Sequence, residues 1–233
     1  MIRVAKPFEL NALYRCTRCP RLATHAGELR QIYPTYHARP VSGWGPREAK
    51  ILLVGLAPGL HGAFKTGRPF VGDASGNFLF QALHSLELAS STHPEQACLS
   101  NVRITNAVKC LPPGNAPTGT EVNNCLGFLA AELIAHAPRR RRLPRAIVSL
   151  GGVAHRAVTK LLFQNPQMIS TQVGPSQNIK PSVFKHGVAQ LVAPKLLHVA
   201  SFHPSRLNVN TGRITHAMLR DVLSIAAEFV ATK

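Results

Sequence analysis

Four short, mostly apolar runs punctuate the chain, at 51–54 (ILLV, unbroken), 102–108 (VRITNAV), 146–150 (AIVSL) and 196–200 (LLHVA). Such runs, bounded by turn residues, are expected of strands covered on both faces. After each run the apolar positions return every third or fourth residue. Phe78, Leu79, Ala82, Leu83 and Leu86 follow the first, and Leu126, Leu129, Leu133 and Ile134 the second. Val153, Ala157, Val158 and Leu161 follow the third, and Met218, Leu219, Val222, Leu223 and Ala226 the fourth. That spacing puts one apolar stripe on each of four helices. Thr118 with Glu121 three residues on is a capping box for the second of them. Strand alternating with helix predicts an α/β fold, a three-layer α/β/α sandwich around a mostly parallel four-stranded sheet, in one domain spanning residues 1–233.

Outside this alternation the pattern changes character. Residues 1–15 read as a helix with Phe8, Leu10 and Leu13 apolar, and residues 16–49 as mostly irregular, because Pro34, Pro40, Gly43, Gly45 and Pro46 break any period. Tyr33, Tyr36, His37 and Trp44 in that stretch supply rings that either line a pocket lip or pack the loop down. Residues 163–187 read as a long polar loop whose Lys180 and Lys185 face solvent or a polyanion. The loop after the first strand, 55–73, carries three glycines and Pro58 within its first eight residues. It can therefore turn sharply and lie close against a ligand. It is not a nucleotide-binding P-loop, because Phe64 stands where the second glycine of G-x-x-x-x-G-K-[ST] belongs. The third strand also ends in Ser149, Leu150 and Gly151, with no acid to hold magnesium.

Charge narrows the partner. Lys and Arg total 27 against 10 acidic residues, a formal charge of +17. A small-metabolite enzyme has no need of that excess, and a nucleic acid is the natural counterpart. With no signal peptide and no apolar run long enough to span a bilayer, the expected setting is intracellular and cytoplasmic, and a monomer is expected.

Five cysteines stand at 16, 19, 98, 110 and 125. In an intracellular chain, Cys16-x-x-Cys19 reads as a metal-binding or redox pair before it reads as a disulfide. Cys110 and Cys125 flank a loop containing Pro112, Pro113, Gly114 and Pro117, which can return the chain and bring both sulfurs together. Cys16, Cys19, Cys110 and Cys125 would then form a four-thiolate site, suited to an iron-sulfur cluster or to structural zinc. The plainer alternative is a set of buried apolar cysteines, the reading given to Cys98.

Parallel strands present their carboxyl ends together, so Asn106, His203 and the 55–73 loop belong at one sheet edge. Asp73 stands out because the chain has only one other aspartate, Asp221. Each residue has an ordinary reading too. Asp73 could be only a helix cap, Asn106 a turn residue and His203 a loop histidine. Their convergence on one edge is harder to explain that way.

GLAPG, then GRPFVGD-x-SG, TNAVKC and HPS in that order, with CxxC upstream and a second cysteine pair around a proline-rich loop, resemble the uracil-DNA glycosylase superfamily. Within it the chain is similar to the type b, or family five, iron-sulfur enzymes. The resemblance implies excision of uracil, and of other deaminated bases such as hypoxanthine, from DNA, with a 4Fe-4S cluster on the four cysteines. It implies that Gly55, Ala57 and Gly59 shape the base pocket, that Phe70 stacks under the flipped base, and that Asn106 reads its amide edge. His203 is implied to meet uracil O2, and Asp73 to activate water or stabilise the sugar cation. Ser205, Arg206 and Leu207 look like the loop pressed into the duplex. One departure matters: Ala57 stands where other members carry a polar residue that positions the attacking water. Asp73 is therefore the expected base, with His37 or His61 next in line. A zinc- or cluster-containing, non-catalytic nucleic-acid-binding protein would explain the charge and cysteines but not this pocket.

Overall fold

The computed structural model of the protein describes residues 10–134, 144–164 and 180–232. The arginine run at 139–142 and the apolar Phe8 lie outside these residues. Five strands, β1 (Ile51–Gly55), β2 (Val102–Asn106), β3 (Ala146–Leu150), β4 (Ala189–Ala193) and β5 (Leu196–Ser201), form one sheet in the order β2-β1-β3-β5-β4. All neighbours pair in parallel except β4, which runs antiparallel to β5. The described helices are α1 (Leu10–Tyr14), α2 (Pro20–Ile32), α3 (Ala63–Thr66), α4 (Ala74–Ser85), α5 (Gly119–Ile134), α6 (Gly152–Gln164), α7 (Arg206–Asn210) and α8 (His216–Ala231).

β1 shows why its apolar run is unbroken. Ile51 and Leu53 pack on one side with Leu79 and Leu83 of α4 and with Leu219 and Leu223 of α8. Leu52 and Val54 pack on the other with Leu126 and Leu129 of α5 and with Val158 and Leu161 of α6. Neither face meets water, so neither can be polar. Each such side chain contributes roughly 1.5–3 kcal/mol by its burial. The expected three-layer sandwich is therefore present, with one strand more than expected. β4 lies at the sheet edge with its first three residues open to solvent in part, so Ala-Gln-Leu carries no apolar run.

The second difference is α2, a 13-residue helix inside the stretch read as irregular. Only Leu22 on it is fully buried, and the apolar period is correspondingly weak. Pro20 in its first turn, where a missing N–H costs nothing, was its one clear local sign. Between α2 and β1, residues 41–45 form a strap along the outer edge of β2. Trp44 and Ile104 exchange two backbone hydrogen bonds there, at 3.0 and 2.9 Å. Arg103 reaches back to the carbonyls of Gly43 and Gly45, each at 2.7 Å. A sheet edge that would otherwise be unpaired is thus covered. No helix among the described residues is long and apolar enough to cross a membrane.

Candidate active site

The carboxyl ends of β1, β2 and β5 open on a cleft of about 830 Å³. Ala57, Gly59, Phe70, Asp73, Asn106 and His203 line it, as do Ser205 and Arg206 at the start of α7. Gly55 lies behind the lining. A Cβ there would come within 2.6 Å of the Phe70 ring and 2.5 Å of the Asn106 side-chain oxygen, so only glycine lets both close on the strand. Phe70 has a left-handed backbone (φ 58°), uncommon for a residue with a side chain. That turn seats its ring 5.8 Å from the His203 ring.

Asn106, the last residue of β2, is 2% exposed. Its side-chain amide makes no hydrogen bond within the described protein, which leaves its donors and acceptors to whatever fills the cleft. Such a group is costly to bury unless a ligand completes it. His203 has part of its ring open to the cleft, yet desolvation pushes its pKa down to about 4. At neutral pH it is an uncharged imidazole with one N–H to donate. Its backbone carbonyl accepts from Asn208 Nδ2 at 2.8 Å, which ties α7 back onto it.

Asp73 does two things at once. Oδ1 accepts from the Gly76 amide at 2.9 Å and caps α4, while Oδ2 faces the glycine loop. A Cβ on Gly62 would lie 2.1 Å from that oxygen, so Gly62 keeps the approach clear. Among the described residues it is the only carboxylate lining the cleft. Of the two reserve histidines, His61 lines the cleft and shares a 2.9 Å hydrogen bond between Nδ1 and the Tyr36 hydroxyl. His37 does not reach it, and sits against the Pro40 carbonyl and the Tyr14 ring. Leu207 lies outside the lining and is 72% exposed, on the face beside Arg206. Ser205 caps α7 through its side-chain oxygen.

Two supports escaped the sequence reading. The Trp44 indole N–H donates to the Pro69 carbonyl at 2.8 Å, one residue before Phe70. Its ring stacks on Phe80 of α4 and lies under the Arg68 guanidinium. Behind it, Lys109 is buried against Glu132 at 3.2 Å and bonds to the Thr105 hydroxyl, while Glu132 accepts from the Gly43 amide at 2.8 Å. Burial alone would raise the Glu132 carboxyl. The Lys109 ammonium, with Thr105, Arg103 and the Gly43 amide, outweighs burial and keeps it below the usual carboxylate range. Nothing in the local sequence joins residues so far apart in the chain.

The cysteines gather beside the cleft. Cys19 precedes α2, Cys110 follows β2 and Cys125 is buried on α5, around Leu22 and Val108. Asn124 on α5 donates to the Arg18 carbonyl at 3.2 Å and to Cys19 Sγ at 3.5 Å. Arg21 forms a two-pronged pair with Glu121, both contacts at 2.8 Å, and Glu121 completes the capping box with Thr118. Burial first, then Cys125, Cys16 and Cys19, pushes the Cys110 thiol up to about 12. Burial also pushes Cys125 up to about 11, against the opposing pull of Lys109. No three His, Cys, Asp or Glu side chains among the described residues draw together tightly enough for a single metal ion. Cys98 stands apart, and it is exposed rather than buried.

The family model described as the uracil DNA glycosylase superfamily matches residues 42–225. A type-5 uracil-DNA glycosylase of Pyrobaculum aerophilum is 41% identical over 229 residues, covering 94% of this chain and 90% of that protein. One from Mycobacterium leprae is 41% identical over 228 residues, covering 92% and 91%. A type-4 uracil-DNA glycosylase of Archaeoglobus fulgidus is 34% identical over 164 residues, covering 67% and 74%.

Proposed function

The chain belongs to the uracil DNA glycosylase superfamily, in its type-5 group, and from that premise we propose that it flips uracil out of DNA into this cleft and hydrolyses the N-glycosidic bond. Water adds to the deoxyribose C1′, the bond to uracil N1 breaks, and an abasic site is left. The observation that carries the reading is the set of complementary groups on one cleft: an aromatic ring, an uncommitted buried amide, an uncharged imidazole and a single carboxylate.

Each group answers one requirement of the chemistry. Extruding a base costs stacking and pairing, and the Phe70 ring with the Asn106 amide compensates for both. Departing uracil gathers negative charge on its carbonyl oxygens, and the remaining N–H of the neutral His203 imidazole can donate to one of them. Cationic character grows on the sugar as the bond stretches. Asp73 Oδ2 offers the opposite charge and a proton acceptor for the attacking water, a task that the Ala57 methyl cannot perform. Arg206 and Leu207 occupy the rim, where a cation meets phosphate and an apolar side chain takes the vacated place in the stack.

The cleft volume also suits bases larger than uracil, and hypoxanthine is the first to try. The four thiols fit a cluster by their chemistry: all are sulfur, Cys19, Cys110 and Cys125 share one apolar nook, and Cys16 is near enough to raise the Cys110 and Cys125 thiols together with Cys19, a thiolate repulsion that added positive charge would relieve. A single zinc ion would need all four within about 2.3 Å of one point. The all-thiolate donor set is the basis for reading a 4Fe-4S cluster on Cys16, Cys19, Cys110 and Cys125, supplying a structural tie and no step of the reaction, with structural zinc as the alternative.

Incubation with an end-labelled duplex holding one uracil, followed by alkali, is expected to yield a strand broken at that position. An intact strand would overturn the reading. A second duplex carrying hypoxanthine decides the breadth.

A further inference from the structure

Residues 180–187 enter β4, and because β4 is antiparallel they arrive at the same sheet edge as the cleft. At their centre Val183 is 86% exposed, more than any other large apolar side chain among the described residues; Leu207 follows at 72%. Lone exposed valines are ordinary on protein surfaces, but this one sits on a loop whose backbone is gripped from several sides. The Gln190 side chain accepts from the Ser182 amide at 2.9 Å and donates to the Lys180 carbonyl at 2.7 Å. His155 Nε2 donates to the Ser182 carbonyl at 3.1 Å. On the far side of Val183, the His186 ring accepts from the Phe202 amide at 3.1 Å and stacks on the Phe202 ring.

The grip reaches into the core. His155 is buried and stacks on buried His198, which shares a 3.1 Å hydrogen bond with the Ser149 hydroxyl. A buried polar trio is expensive unless its bonds are made, and this one has no part in the chemistry of the cleft. Its outlet is the Ser182 carbonyl. Phe184 completes the seat, lying 5.4 Å from the His155 ring and 6.0 Å from the Phe202 ring. Phe202 immediately precedes His203. The charges agree: Lys180, Lys185 and Arg156 have no acidic partner among the described residues, and Arg156 lies beside Gly152 under the same loop.

We propose that residues 180–187 are a second duplex-gripping wedge, in which Val183 packs against the DNA beside the extruded nucleotide while Lys180 and Lys185 hold the flanking phosphates. Leu207 and Val183 then brace the opened helix from two sides of His203. A rigid apolar tip does this at little entropic cost, since its backbone is already ordered before DNA arrives. The inference rests on the glycosylase reading for the position of the DNA, not for its chemistry.

The test compares Val183→Ser with wild type in single-turnover excision of uracil from a duplex and from the same strand unpaired. The substitution is expected to lower the duplex-to-single-strand rate ratio three- to tenfold, with an unchanged melting temperature. In parallel, Lys180→Ala with Lys185→Ala should shallow the slope of log affinity for duplex against log salt by about 2. An unchanged ratio, or an unchanged slope, would overturn the wedge. A wild-type protein that leaves uracil in place would overturn the glycosylase reading alone, because the affinity and salt measurements on plain duplex still decide the wedge.

Discussion

Asp73 carries two duties that a single substitution separates. Asp73→Asn keeps an oxygen able to accept from the Gly76 amide, so the α4 cap survives while the charge facing the cleft is lost. The expected outcome is a fall on the order of 10²-fold or more in single-turnover excision, with DNA affinity near wild type. A near-normal rate would reduce Asp73 to a helix cap and turn attention to His61. His203 and His198 make a second expectation, read by pH. Burial pushes the first down to about 4, and burial with the neighbouring His155 pushes the second down to about 3. Unfolded, each would take up its proton near pH 6.5. Their contribution is therefore complete above about pH 6.5 and declines as pH falls toward 4, by roughly 1.4 kcal/mol per unit for each histidine. Chemical denaturation at pH 7, 6 and 5 measures the slope, and His203→Gln should flatten it. Asp73, Asn106 and His203 were legible in the sequence because short motifs at strand ends go where parallel strands put them. The left-handed turn at Phe70 was not, since it is set by contacts with Gly55 and Trp44 rather than by neighbours in the chain.

At the scale of elements, the strap at 41–45 joins what the cleft needs joined. It pairs with β2, which ends in Asn106; it bonds to the carbonyl before Phe70; and it stacks on α4, whose cap is Asp73. Trp44→Phe keeps the ring against Phe80 but removes the indole N–H. The expected cost is about 1 kcal/mol of stability, with a several-fold weaker affinity for uracil-containing duplex and a smaller change in the rate of the bond-breaking step. A Trp44→Phe protein that binds uracil-containing duplex as tightly as wild type does would show that the strap only covers an edge. The strap and β4 escaped a reading by periodicity for the same reason. Each has one partner strand and one open side, so its residues need be neither continuously apolar nor strictly alternating. The strands buried on both faces had less freedom: β1 is apolar throughout apart from Gly55, and the polar Ser149 of β3 and His198 of β5 are buried only because they bond to each other.

For the molecule as a whole, the N-terminal segment is tied to α5 by the Arg21–Glu121 pair, the Asn124 contacts and the four gathered thiols. If the proposed cluster ties these segments, Cys110→Ser should release iron and lower the melting temperature together, measured by metal analysis and calorimetry on the same preparation. A variant that lost iron and melted as wild type would detach the cluster from stability. The tie also sets a timetable. Arg21 and Glu121 are 100 residues apart, and at ribosomal speeds of about 5–20 residues per second the first cysteine pair waits on the order of 5–20 s for its partners to be made. Throughout that interval Cys16 and Cys19 are a bare dithiol on a growing chain, open to oxidants and to whatever metal passes. On the proposed four-thiolate cluster, loading would be among the last events of biogenesis, and a chain that stalls before Cys125 could not complete it.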